Sequence, residues 1–176
     1  DVVLEDLGAE VKKSPAINRG SRINLANTDC DSIEVGLFAG QHIEIGSVTV
    51  SNTEDSLYVT FTTEGNWYLG HTHLYVGAPK DVPTNKKGNP KIGHFPYQES
   101  HDMVSSYTYA LPLTGLDDCI IVAAHAEVFR IDENGDQVQA ETAWADGARF
   151  TSKGSWAMFF EYCKQFCEPT CEDAVC

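Results

Sequence analysis

His71 and His73 have the clearest capacity for chemistry in this chain, because they stand two residues apart inside the run WYLGHTHLYV. Side chains at i and i+2 of a β-strand leave the same face. Two imidazoles placed in this way can reach one metal ion if a neighbouring strand adds a further ligand. His125 and Glu127 repeat the spacing within the apolar run CIIVAAHAEVFRI, and they are the candidates for that ligand. Copper, zinc or iron is the metal such a set would take. A plainer reading stands beside this one: the two histidines lie with Trp67 and Tyr75 on a half-buried aromatic face and bond only to polar neighbours. A cupin-type site is not expected, since the position four residues after His73 is Gly77 and not glutamate.

Asp132, Asn134 and Asp136 carry oxygen at alternate positions and are followed by Glu141, a pattern able to hold calcium. It departs from an EF-hand loop, whose sixth position must be glycine and is here Gln137. A hairpin turn at Asn134-Gly135 accounts for the same residues. Trp67, Tyr75, Tyr97 and Trp144 are candidate ligand-binding aromatics able to form a platform for sugar rings, with a place in the core as the alternative. Trp156, beside Met158 and Phe160, reads as core. No catalytic residue is assigned. The chain has no Gly-x-Ser-x-Gly elbow, no His-Glu-x-x-His and no phosphate-cradling glycine loop, so a non-catalytic protein is expected.

These residues need strands to position them, and strands are what the chain offers. QHIEIGSVTV places Ile43 and Ile45 in one phase and Val48 and Val50 in the other, with Gly46 at the change, which predicts a bulged strand. LYVTF follows after a polar turn and completes a hairpin. In WYLGHTHLYV, strict alternation would put Trp67, Leu69, His71, His73 and Tyr75 on one face. Tyr107, Tyr109, Leu111 and Leu113 alternate with Thr108 and Ala110. Residues 119–131 form a long central strand, Asn134-Gly135 turns it back along residues 137–144, and SWAMFFEY is the last strand. About eight strands, hairpin spacing and no long helix predict an all-β fold, an antiparallel two-sheet sandwich of jelly-roll type, with a small closed barrel as its competitor. Residues 77–104 show no strand period and carry four prolines and three glycines, which predicts a long loop. Residues 1–20 form an N-terminal arm, 21–162 the β-domain and 163–176 a Cys-rich tail.

The 176 residues include 26 acidic and 12 basic side chains, a formal charge of −14, which makes nucleic acid a poor partner. No apolar run is long enough to span a bilayer. Lys80, Lys86, Lys87 and Lys91 nevertheless gather on the predicted loop. Cys30, Cys119, Cys163, Cys167, Cys171 and Cys176 suit disulfides in an oxidising compartment, with the pairing left open among many possibilities. A first residue of Asp1 fits a secreted chain whose signal peptide has been removed, and no Asn-x-Ser/Thr sequon is present.

The blocks AGQHIEIGSVTV, WYLGHTHLYVG, ETAWADG and SWAMFFEY resemble a group of secreted extracellular β-domain proteins of unassigned function. That likeness spans residues 36–162 and implies an extracellular β-domain, with no functional residues to carry over. The expectation is therefore a secreted, disulfide-stabilised, non-catalytic binding or structural subunit. Its partners would be copies of itself, joined through the arm of residues 1–20, or an extracellular glycan. The alternative is a metal-binding protein centred on the His-x-His pair.

Overall fold

Apolar residues that recur at every second position between turn-forming residues leave the backbone one economical arrangement, the antiparallel ladder. A computed structural model describes residues 31–166, and the predicted arm together with Cys30, Cys167, Cys171 and Cys176 lies outside them. Ten strands follow in chain order: β1 (Ile33–Ala39), β2 (Ile43–Asn52), β3 (Ser56–Thr63), β4 (Trp67–Gly77), β5 (Tyr97–Val104), β6 (Ser106–Pro112), β7 (Cys119–Ile131), β8 (Gln137–Ala145), β9 (Ala148–Arg149) and β10 (Met158–Cys163). Every pairing between them is antiparallel.

Two sheets packed face to face were expected, but eight strands instead follow a single hydrogen-bonded path, β5-β4-β7-β8-β1-β2-β3-β6. Strand twist curls a path of this length back on itself. The last strand of the path approaches the second where Tyr109 Oη of β6 meets Thr72 Oγ1 of β4 at 2.6 Å. Nearby, Thr63 N donates to the carbonyl of Ser105, the single residue between β5 and β6. The result is a nearly closed, barrel-like sheet. Its interior is filled by Leu37, Val48, Val59, Phe61, Leu69, Leu74, Val122 and Val128, all fully buried. Burial also holds the Tyr109 phenol far above its ordinary range.

The bulge expected in β2 is present. Leu37 pairs with Gly46 and Phe38 with Glu44, so Ile45 is the extra residue and the inward phase passes from Ile45 to Val48 and Val50. Glycine is required at 46, because a Cβ there would stand 1.9 Å from the Thr62 carbonyl oxygen of β3.

The predicted loop is shorter than expected, since its last eight residues form β5 against β4. The half-buried positions of β5 include Glu99 and His101, so polar residues occupy the side that normally carries the apolar signal. His101 Nε2 instead meets the Thr72 hydroxyl at 2.9 Å. The remaining loop is packed. Val82 and Phe95 join Tyr75, Ile121, Ala123, Trp144 and Ala157 in a second apolar cluster, with Ile92, Phe150, Trp156, Met158 and Phe159 against it. This cluster lies on the outer face of β4, β7 and β8, so the central strands are buried on both sides over part of their length.

β7 is long enough to take two partners along one edge, with β8 beside its later residues and β10 beside residues 119–122. A disulfide between Cys119 and Cys163 staples that second pairing. Asn52 anchors the chain beyond β10: its Oδ1 accepts from the Tyr162 hydroxyl at 2.6 Å and from Gln165 N at 2.9 Å.

Candidate metal centre

The orientation of the two histidines depends on one irregularity in β4. Leu69 pairs with Val128 and His71 with Glu127, which leaves Gly70 as an extra residue. An inserted residue exchanges the faces of everything after it. Trp67 and Leu69 therefore point into the main core, and so do Thr72, Leu74 and Val76, while His71, His73 and Tyr75 turn to the outer face. The common face expected for Trp67, Leu69, His71, His73 and Tyr75 is thus split at Gly70. The glycine also makes room for a neighbour: a Cβ there would lie 2.2 Å from the Phe129 ring of β7.

Register then assembles two adjacent rows across the outer face. One runs Ser100, His71, Glu127 and Thr142 over β5, β4, β7 and β8. The other runs Gln98, His73, His125, Trp144 and Phe38, ending on β1. His71 and His73 stack with ring centroids 4.4 Å apart and planes within 2°. The ligand atoms of His71, His73 and Glu127 all lie within 4.8 Å of one another, and this is the one convergent group of three or more His, Cys, Asp or Glu side chains among the described residues.

His125 has a different place from the ligand role expected of it. Its Nδ1 lies 3.1 Å from His73 Nδ1, and its ring centroid is 4.8 Å from that of Trp144. If His73 donates its Nδ1 proton to His125, its Nε2 lone pair is free to face an ion. Histidine ligands are commonly oriented by such a contact from their second nitrogen. Both rings are nearly buried, at 5% exposure for His73 and 2% for His125. Burial, reinforced by the His71 ring, lowers the His73 pKa to about 4. Burial, reinforced by the His73 and His71 rings, lowers that of His125 to about 3. Desolvation penalises the imidazolium, so both rings are neutral at physiological pH and keep their lone pairs. Glu127 is exposed and His71 half-buried, so the ligand group opens to solvent on one side.

Ser100 was not singled out from the sequence. Its hydroxyl stands 3.5 Å from His71 Nδ1. The one signal that could have found it was register on β5, which that strand's polar inward positions concealed.

The other candidates take structural places. One Asp132 carboxylate oxygen accepts from both Asn134 N and Asp136 N at 2.9 Å, which closes the β7–β8 hairpin, and Gly135 supplies the positive φ of 85°. Glu141 accepts from Gln139 Nε2. Asp132 thus serves the hairpin turn, and Glu141 bonds to Gln139 two residues earlier on the same strand. Trp67 lies in the main core at 8% exposure and Trp144 in the outer cluster at 6%, so neither presents a platform. Tyr75 is buried and donates its hydroxyl to the Ala78 carbonyl at 2.6 Å. Tyr97 is half-exposed and lines a shallow groove with Glu99, Tyr107 and Leu111. Trp156, expected in the core, is only half-buried.

Comparison of the chain with protein-family models, curated proteins and solved structures finds no match.

Proposed function

We propose that this protein is an extracellular, non-catalytic binding module that holds one divalent transition metal ion, zinc or copper, at His71, His73 and Glu127. The observation that carries the reading is the gathering of two imidazoles and a carboxylate on one sheet face, their ligand atoms within 4.8 Å of one another. Imidazole suits zinc and copper, and the general order of divalent affinities favours these two over iron. Three protein ligands leave a position open to solvent, where a donor from a partner or a small ligand can bind. His125, 3.1 Å from His73, supports the group in the tautomer in which it accepts the His73 Nδ1 proton. The Cys119–Cys163 disulfide supports an oxidising location, where thiols do not stay reduced.

Cobalt(II) is a spectroscopic stand-in for zinc that tests this reading. Titration of the metal-free protein should give a visible d–d spectrum that saturates at one equivalent and lacks thiolate charge-transfer bands. His73→Ala should abolish it. A spectrum dominated by thiolate bands, or one unchanged in His73→Ala, would place the metal elsewhere.

A further inference from the structure

A second site lies on the same outer face, where the β1–β2 turn, the β8–β9 corner and the approach to β10 converge. Phe38, Gln41, His42, Asp146, Arg149, Trp156 and Met158 line a half-open pocket of about 190 Å³. That volume is below the roughly 300–1,000 Å³ of sites for drug-sized ligands, and suits a single ring. We propose that this pocket binds a neutral pyranose, as a terminal sugar residue of an extracellular glycan.

The chemistry of the walls carries the choice. Trp156 and Phe38 give aromatic surface and Met158 aliphatic surface, against which the C–H face of a sugar can lie. The polar groups include both acceptors and donors: Asp146 accepts, Arg149 donates, the Gln41 amide does both, and His42 adds its ring nitrogens. Hydroxyl groups also donate and accept, so they match such a set, whereas an anion meets Asp146 and a cation meets Arg149. A chain charge of −14 further disfavours an anionic ligand.

The pocket is also held in shape. Arg149 Nη2 donates to the Ser155 carbonyl at 3.2 Å, which orients the guanidinium while leaving its other N–H groups available. Gly147 lets the corner pass under β10, since a Cβ there would sit 2.0 Å from the Phe159 carbonyl oxygen. Gln41 has φ of 79°, a left-handed conformation that non-glycine residues seldom adopt, and follows Gly40 at 55°. The tight turn therefore places Gln41 in the lining of the pocket. The corner that follows Trp144 thus contributes Asp146 and Arg149, and the stacking ring is Trp156.

The test uses the full chain with chelator present throughout, so that it is independent of the metal reading. Ligand-observed NMR and Trp fluorescence would be recorded against the methyl glycosides of glucose, galactose, mannose, N-acetylglucosamine, fucose and xylose, with glucuronate and free amino acids as competing chemistries. At least one methyl glycoside should bind, and its affinity should fall at least about tenfold in both Trp156→Ala and Asp146→Asn, reflecting lost stacking and a lost charged acceptor. Asp146→Asn keeps the shape of the corner, so a folding defect in Trp156→Ala leaves the test standing. Binding of none of the six glycosides, unchanged binding in Asp146→Asn, or binding of only glucuronate or amino acids would overturn the proposal.

Discussion

His125→Gln in the metal-free protein makes the buried histidine pair a quantitative prediction. Both rings are neutral in the folded state near pH 5, because their pKa values are lowered to about 4 for His73 and about 3 for His125. In the unfolded chain each titrates near 6.5. The unfolded state therefore binds more protons as pH falls below 6.5, so the stability present above that pH is lost progressively toward pH 4 and below. At pH 5 the loss depends only on the distance from the unfolded value and comes to about 2 kcal/mol per histidine. His125→Gln retains an oxygen that can accept from His73 but removes one titrating group. Urea unfolding with chelator at pH 7 and pH 5 gives the two stability differences. The natural chain should lose about 2 kcal/mol more than the variant over that interval, equivalent to roughly 4–8 °C in Tm for a domain of this size. Carboxylate titration is common to both proteins and cancels in the comparison. Equal losses would show that His125 is not held neutral in the fold, and the orienting role given to it would fall.

Three further perturbations test the frame around the site. Gly46→Ala should destabilise by at least about 1–3 kcal/mol, since the clash is with backbone of β3 and relief requires breaking the ladder; an unchanged urea midpoint would refute it. Replacing both Cys119 and Cys163 by alanine should cost about 2–4 kcal/mol, measured by thermal unfolding, because the bridge joins residues 44 apart in sequence. Asp132→Ala should cost about 1 kcal/mol or more through loss of its two backbone bonds, equally with calcium and with chelator; a cost seen only with calcium would return these residues to a calcium site.

Much of the strand pattern was legible because apolar alternation and turn residues act locally. The limits of β7, the Asn134-Gly135 turn and the phase change at Gly46 could all be read from adjacent residues. Closure of the sheet could not, since it depends on Thr72 meeting Tyr109 across 37 positions of sequence. β5 escaped because Glu99 and His101 stand on its half-buried side. At the site, the pairs His71/His73 and His125/Glu127 were visible as spacings, but their division of labour was not. Register sets Glu127 opposite His71 and His125 opposite His73. Gly70 mattered in the same way: it splits the face of β4, so that Trp67 faces the core while His71 and His73 face outward. The choice between platform and core for Trp67 and Trp144 stayed open for a related reason, since hydrophobic character alone does not say which ring a cluster covers.

Native mass spectrometry of protein stripped and then supplied with one equivalent of zinc, and separately of copper(II), tests the central claim most directly. One tightly held ion per chain is predicted for the natural protein and none for His71→Ala combined with His73→Ala, with both proteins folded by circular dichroism. A natural chain that retains no ion, or a double variant that still retains one, would contradict a metal centre at His71, His73 and Glu127.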